Sequence, residues 1–296
     1  MSDSVPEPSR ERRAERRTIR LAPGLLLALL AACDQGTVQL EVGDAPVDDA
    51  SRVVVQFTGV VLERGDGDDE AFNLSPPLSI DLLARTEGAT AVLLGGQSVT
   101  EGDYVAVRVE VSADGSGTDS FVDTAGDVRP LLLAEADEFR LRVARGFSVE
   151  RTHETRLVLD FDLRKSVHNP DSTSAPYELR PSLRLVDPDE AGALSGTVSA
   201  ALATASGCRP AVYVFTGHNA SANDEGSALP PYASAIVRPA GAEFFYRVPF
   251  LPPGNYTAAF TCAAAADNPE QDDATTFSNS KNVSVAESQT ATANFP

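Results

Sequence analysis

Few side chains in this 296-residue chain are of types that perform chemistry, and their spacing excludes most of it. The three histidines, His153, His168 and His218, lie far apart in sequence. His153-Glu154 begins the pattern by which two imidazoles one helical turn apart hold zinc, but Leu157 stands where the second His belongs. No Gly-x-Ser-x-Gly run offers a nucleophile elbow. No glycine-rich loop follows a strand and opens a helix, which argues against a nucleotide site. Two acidic stretches carry oxygens of the kind Ca²⁺ takes: Asp66, Asp68, Asp69 and Glu70, then Asp267, Glu270, Asp272 and Asp273. Neither has the EF-hand order, and solvated hairpin loops are the plainer reading. Arg64-Gly65-Asp66 spells an adhesion tripeptide, a string short enough to recur by chance. Asp160 and Asp162 could form an acid–base pair. They share one strand face beside arginines, so cross-strand ion pairing is expected instead. No catalytic residue and no metal ligand is assigned.

Three cysteines remain: Cys33, Cys208 and Cys262. Cys33 closes a leader of three parts. Arg10, Arg12, Arg13, Arg16, Arg17 and Arg20 form a basic start, residues 21–30 a short apolar run, and Ala31-Ala32 the small residues a signal peptidase needs. The apolar run is about half of the ~20 residues a membrane-spanning helix requires, so a cleaved signal over residues 1–32 is expected. Leu30-Ala31-Ala32-Cys33 resembles a bacterial lipobox. The resemblance implies that the Cys33 sulfur takes a diacylglycerol, that cleavage follows, and that the new amino terminus is acylated. At ~0.8 kcal/mol per buried methylene, more than one acyl chain gives stable anchoring. Residues 33–36 are then a lipidated tether. Cys208 and Cys262 are left as an even pair in an exported chain, where disulfides persist. A Cys208–Cys262 bridge is expected, with two buried thiols as the alternative.

Charge narrows the partners. The chain has 24 Lys and Arg against 43 Asp and Glu. Residues 1–32 hold six of the basic and four of the acidic side chains, so the remainder carries 18 against 39, a net −21. That balance argues against nucleic acid and against an anionic membrane surface, because both recruit clustered positive charge.

The elements that would position any site read as β. Residues 37–42 form a first strand, stopped by Asp44-Ala45-Pro46. Residues 52–63 (RVVVQFTGVVLE) are rich in β-branched types, and Gly59 marks a possible bulge position. Shorter strands are expected at 79–83 and 91–94. Residues 104–111 (YVAVRVEV) alternate: Val105, Val107, Val109 and Val111 on one face, Arg108 and Glu110 on the other. Tyr104 then falls with the polar set, which a bulge would repair. Residues 139–143 and 156–163 repeat the alternation, and 179–186 end this block. A single helical turn is expected at 164–168. Alternation with one wet face is an antiparallel signature.

Several of these landmarks, in order, resemble a known family: Asp44-Ala45-Pro46 after the first strand, residues 54–62, Leu159-Asp160-Phe161-Asp162 with Ser166-Val167, and Tyr177-Glu178-Leu179-Arg180-Pro181-Ser182-Leu183-Arg184. The family is the domain of unknown function 4382, found in bacterial lipoproteins, and the resemblance covers residues 37–187. It implies a β-sandwich on the cell envelope and brings no activity. Residues 188–192 are polar, with Pro and Gly, and read as a linker. Residues 193–296 read as a second domain, with strands at 194–202, 211–216, 234–238, 243–248, 256–262, 283–286 and 290–295. Its Leu251-Pro252-Pro253-Gly254-Asn255-Tyr256 resembles the corner of transthyretin-like and carboxypeptidase-regulatory-like sandwiches. A buried Tyr there bonds back to the chain and braces the turn. Tyr256, Ala258, Phe260 and Cys262 share a face by alternation, which aims Cys262 inward. Gly102-Asp103-Tyr104 echoes Gly254-Asn255-Tyr256.

The sequence thus indicates an all-β chain of two antiparallel sandwiches behind a cleaved signal. The functional expectation is a non-catalytic, lipid-anchored envelope protein facing the periplasm or the exterior. It would bind or support a glycan, protein or peptide, and need no cofactor beyond the lipid on Cys33. The rivals are an envelope hydrolase with a carboxylate site and a calcium-dependent adhesion module.

Overall fold

In the computed structural model the described residues are Met1, 35–45, 50–85, 87–169, 175–241 and 243–296. Cys33 and nearly all of its leader lie outside them, and so does the lipobox reading. Residues 34–296 form one compact unit.

The first thirteen strands among the described residues are β1 (Gln35–Ala45), β2 (Arg52–Arg64), β3 (Glu70–Asp81), β4 (Ala91–Thr100), β5 (Gly102–Ser112), β6 (Phe121–Thr124), β7 (Asp127–Leu132), β8 (Arg142–Val143), β9 (Phe147–Val149), β10 (Glu154–Asp162), β11 (Val167–His168), β12 (Tyr177–Leu179) and β13 (Leu183–Val186). One sheet has the order β13-β10-β1-β4. The other has the order β11-β12-β7-β6-β2-β5-β8, with β3 on β2 and β9 on β5. The core between them follows the sequence alternation. Val38, Leu40 and Val42 of β1 and Leu157, Leu159 and Phe161 of β10 meet β2 and β5. Each such fully buried side chain contributes roughly 1.5–3 kcal/mol.

Two bulges keep that alternation in phase. In β2 the inward set is Val53, Val55 and Phe57, then Val60 and Leu62, and the pairing register shifts between Phe57 and Gly59. The extra residue flips the parity, so apolar side chains on both sides of Gly59 still point inward. In β5 the register shifts where Glu63 pairs Ala106 and Arg64 pairs Tyr104. Val105 is therefore exposed and Tyr104 buried. The echo of the two Gly-x-Tyr corners is repaired as the phase argument requires.

Three expectations fail here. Residues 139–143 do not form a strand: Glu135–Leu141 is a 3-10 helix, only Arg142–Val143 pair, and Phe139 is 69% exposed. Acidic residues fill the first turn, and Asp137 pairs Arg140 at 2.8 Å, as a helical spacing allows. Residues 179–186 are not one strand. Pro181 breaks them, and β12 joins the large sheet while β13 joins the small one. The strand expected at 79–83 starts earlier: β3 spans Glu70–Asp81, where Pro76-Pro77 is tolerated because β3 pairs only β2 and is an edge. The pairing is mixed as well: β1 runs parallel to β10 and β12 to β7.

The second sandwich uses β14 (Gly192–Val198), β15 (Ala211–Thr216), β16 (Ala233–Ile236), β17 (Arg238–Ala240), β18 (Glu243–Leu251), β19 (Gly254–Thr261), β20 (Phe277–Val285) and β21 (Thr290–Thr292). Sheets β17-β18-β14-β21 and β16-β15-β19-β20 close over Leu194, Val212, Val214, Tyr246, Val248, Ala258 and Phe260. The Cys208–Cys262 disulfide is formed, with both cysteines packed against this core. In β15, Ala211 through Phe215 are all buried. Val212 and Val214 face the main core, while Ala211, Tyr213 and Phe215 join Ala259 and Ala264 on the sheet's other face.

Candidate functional site: the seam between the sandwiches

In β10 the polar face is covered by the second sandwich. Asp160 and Asp162 are 2% and 7% exposed. The sequence had placed them on a wet face; the second sandwich occupies that side. Asp160 pairs opposite Arg184 of β13 in the strand register, and their charges bond. The cross-strand pairing read from sequence is present. Arg184 also reaches across the seam. Its Nη1 donates to the Tyr232 carbonyl at 3.2 Å, and its guanidinium lies 4.5 Å from the Tyr232 ring centre. Burial opposes the Arg184 charge, but Asp160, Tyr232 and Asp162 together outweigh it and hold the group above its usual pKa.

One helical turn supplies the deeper contact. In α1 (Leu163–Ser166), Asp162 caps the start by accepting from the Lys165 backbone N–H, and the Ser166 hydroxyl donates to the Asp162 carbonyl at 2.6 Å. The turn directs Arg164 and Lys165 at the second sandwich. Lys165 Nζ donates to the Pro231 carbonyl at 3.1 Å. Arg164 donates through Nη2 to the Ala264 carbonyl at 2.6 Å and to the Tyr213 hydroxyl at 3.0 Å. Its Nε lies 3.3 Å from Glu225 Oε1, and both side chains are nearly fully buried. The Tyr213 hydroxyl donates to Asp267 Oδ2 at 2.6 Å, and the Ser234 hydroxyl donates to Glu225 Oε1 at 3.1 Å.

Low polarity shifts these groups. Burial pushes the Glu225 carboxyl up to about 7, against the pull of Arg164. Burial also raises Asp267, opposed by the Tyr213 hydrogen bond, and raises Tyr213.

Beside this cluster is a cleft of about 660 Å³ built by both sandwiches. His168, Glu178 and Arg180 line one side, and Asp267, Glu270 and Gln271 the other. Arg180 is ion-paired with both Glu178 and Glu270. His168 Nε2 lies 3.1 Å from the Lys165 carbonyl, placed to donate to it, and burial lowers its pKa.

The other sequence candidates lie elsewhere. The Arg64 side chain is 12% exposed and turned onto its own loop, donating to the Asp66 carbonyl at 2.8 Å. Asp69 accepts from the Arg64 backbone, and Glu70 from the Thr100 backbone, with its Oε1 3.0 Å from the Tyr104 hydroxyl. Among the described residues no group of three or more His, Cys, Asp or Glu side chains gathers as a metal site. Nor, among them, is any helix long and apolar enough to cross a membrane. His153 is exposed beside Glu150, and His218 faces the Val283 carbonyl. Arg164, Tyr213 and Glu225 were not singled out from sequence. The one available signal was a Tyr at the centre of an otherwise apolar strand, AVYVF.

The fold defines an all-β protein of two sandwiches joined across a charged seam. Over residues 35–181 the chain matches the family model described as "Domain of unknown function (DUF4382)". Strand β13, which completes the small sheet, lies just past the matched region. Among curated proteins none matches the chain. Among solved structures it is similar to the minor pilin GBS52 of Streptococcus agalactiae, at 10% identity, covering 87% of this chain and 94% of that one, with a TM-score of 0.21. The shaft pilin SpaA of Lactobacillus rhamnosus GG is similar at 7% identity, with 89% and 98% covered and a TM-score of 0.22. The fimbrial anchor protein Mfa2 of Porphyromonas gingivalis is similar at 8% identity, with 78% and 80% covered and a TM-score of 0.19.

Proposed function

We propose that this chain is a non-catalytic cell-envelope protein, tethered by lipid on Cys33, whose joined sandwiches present the inter-sandwich cleft to a ligand. The observation that carries the reading is the run Leu30-Ala31-Ala32-Cys33 behind a basic and apolar leader, followed by an all-β body stapled by Cys208–Cys262. A disulfide fits an oxidising compartment. The cleft volume lies within the roughly 300–1,000 Å³ of ligand pockets. Its charges are compensated only in part, since Arg180, a single cation, serves both Glu178 and Glu270 and the lining stays acidic. A neutral, hydrogen-bonding ligand such as a glycan or peptide suits such a lining better than a polyanion.

The address is tested by Cys33→Ser. The wild-type chain partitions with membranes and carries the mass of a lipid, while the variant retains its leader and takes no lipid. A wild-type product without lipid sinks the reading. The binding role is tested by pulldown from envelope extract with residues 34–296. Retention of glycan or protein that is lost in Gln271→Ala supports the cleft, and no retained partner argues against it.

A hydrolase remains the second reading, because Glu225 and Asp267 are neighbouring carboxyls that are both raised by burial, and Asp267 lines the cleft. Glu225 does not line it and is packed behind Arg164. Turnover of envelope substrates that disappears in Asp267→Asn would establish the enzyme.

A further inference from the structure

The seam holds more negative than positive groups. Arg164 and Lys165 of α1 face Glu225, and so do Asp162 at the end of β10 and Asp267 after the 264–266 turn. Tyr213 of β15 and Ser234 of β16 complete the surroundings, and Asp224 precedes Glu225 in the chain and acts on Asp267. With Arg184 and its partner Asp160 counted, three cations meet five carboxyls, each carboxyl 9% exposed or less. Full ionisation would leave an excess of two negative charges out of water, which is costly.

The carboxyls differ in how well they hold a charge. Asp267 accepts the Tyr213 hydroxyl at 2.6 Å and the Glu225 backbone N–H at 3.2 Å. Asp162 accepts the Lys165 backbone N–H and lies 3.6 Å from Lys165 Nζ. Asp224 accepts the Gly226 N–H on Oδ1 within its own loop, and its Oδ2, like one Glu225 oxygen, is buried without a hydrogen-bond partner. Glu225 spans the seam, and its bonds go to Oε1 alone; Oε2 is buried without a hydrogen-bond partner. An ionised carboxylate so placed pays the desolvation cost on one oxygen.

We propose that the seam is a proton-sensitive latch, held most firmly when Glu225 carries a proton beside Arg164 and loosened when that proton leaves. Separation of the sandwiches admits water to Glu225. In the closed form the carboxyl holds its proton up to about 7. In the open form it releases it near the ordinary glutamate value of about 4.3. Between those values the closed form binds one proton more, so rising pH drains the closed form. Below the lower value and above the upper one the balance is flat. Arg164 and Asp267 line the cleft, so loosening the latch reshapes it whatever ligand it takes.

The test is hydrogen exchange, corrected for intrinsic rates, on residues 34–296 from pH 5 to pH 8. Backbone amides of 160–168, 218–232 and 260–272 lose protection by roughly tenfold to a hundredfold over that range, as the linkage predicts. In Glu225→Gln the same amides keep a flat profile while amides of β2 and β5 match the wild type. A flat wild-type profile, or an unchanged slope in Glu225→Gln, overturns the proposal. Should the variant fail to fold, the side-chain carboxyl resonance of Glu225 in the wild type decides. A midpoint near 7 supports the latch, and one below 5 overturns it.

Discussion

Tyr104 and Tyr256 make the same bond in the two sandwiches: each hydroxyl donates to the carbonyl four residues earlier, Thr100 at 2.8 Å and Pro252 at 2.7 Å. Each follows a Gly-x pair and opens a strand at the rim of its sheet. The two differ in their surroundings. The Tyr104 hydroxyl also lies 3.0 Å from Glu70 Oε1 and accepts from Arg64 Nη1 at 3.4 Å. Tyr256→Phe therefore loses about 1 kcal/mol, the net worth of one neutral hydrogen bond. Tyr104→Phe loses about 1.5–3 kcal/mol, because its hydroxyl also stands within hydrogen-bond reach of the Glu70 carboxylate and accepts from the charged Arg64. Urea melts of the two variants give the ranking, and equal losses would show that Glu70 contributes nothing to the first corner.

Alkali attacks both corners. Burial pushes Tyr104 and Tyr256 up to about 12, with Glu70 adding to the first. An unfolded tyrosine ionises near 10. Below pH 10 neither state is ionised and the full contribution is present. Between about 10 and 12 only the unfolded chain gives up the proton, so stability falls as pH rises through that window. Tyrosinate absorbance and loss of β circular dichroism should then rise together above pH 10. Tyrosinate forming at Tyr104 or Tyr256 at pH 10, read from their own ring resonances in a chain that keeps its β signal, would contradict the buried corners.

Much of this architecture was legible, because alternation reports a half-buried strand directly. The bulge at Gly59 and the tyrosine brace at residues 252–256 were readable, since each rests on a local rule. The 135–141 helix was not: Phe139, Leu141 and Val143 satisfy a strand period, and only the acidic run before them signals a helical first turn. The seam was hidden for a different reason. Asp160 and Asp162 look like a solvated face until a second sandwich is laid on it, and no local pattern reports a partner more than 40 residues away in sequence, as Tyr213 is from Arg164. Of the candidate groups, Asp267 was noticed as a calcium oxygen, whereas it takes the Tyr213 hydroxyl.

The disulfide should matter mainly to the second sandwich. Cys208 and Cys262 close a loop with a sequence separation of 54, which spans β15 through β19. The chain-entropy model gives roughly 4 kcal/mol for such a loop. Cys208→Ala/Cys262→Ala is expected to lose about 2–4 kcal/mol in denaturant melts. Its early hydrogen exchange should appear in 211–216 and 254–261 before β1 or β2. A loss spread evenly over both sandwiches would mean that they unfold as one cooperative unit.

Arg164 is the residue whose removal separates seam energetics from packing. It is the cation nearest Glu225, bonds Tyr213 and the Ala264 carbonyl, and is nearly fully buried. Arg164→Met keeps most of the volume and deletes the charge, leaving Glu225 and Asp267 without their main counterion. Breaking a buried pair from one side costs about 3–5 kcal/mol. Glu225→Gln removes the group that suffers most, so the double variant Arg164→Met/Glu225→Gln should be more stable than Arg164→Met alone. A coupling energy of at least ~1 kcal/mol is expected, as for residues in direct contact. The cost of Arg164→Met should also grow from pH 5.5 to pH 8, because Glu225 is protonated at the lower value and charged at the higher. Urea melts of the four proteins at both pH values measure all three quantities. Additive losses that ignore pH would mean that Arg164 acts through its length and its hydrogen bonds to Tyr213 and Ala264, and that its charge is irrelevant to Glu225.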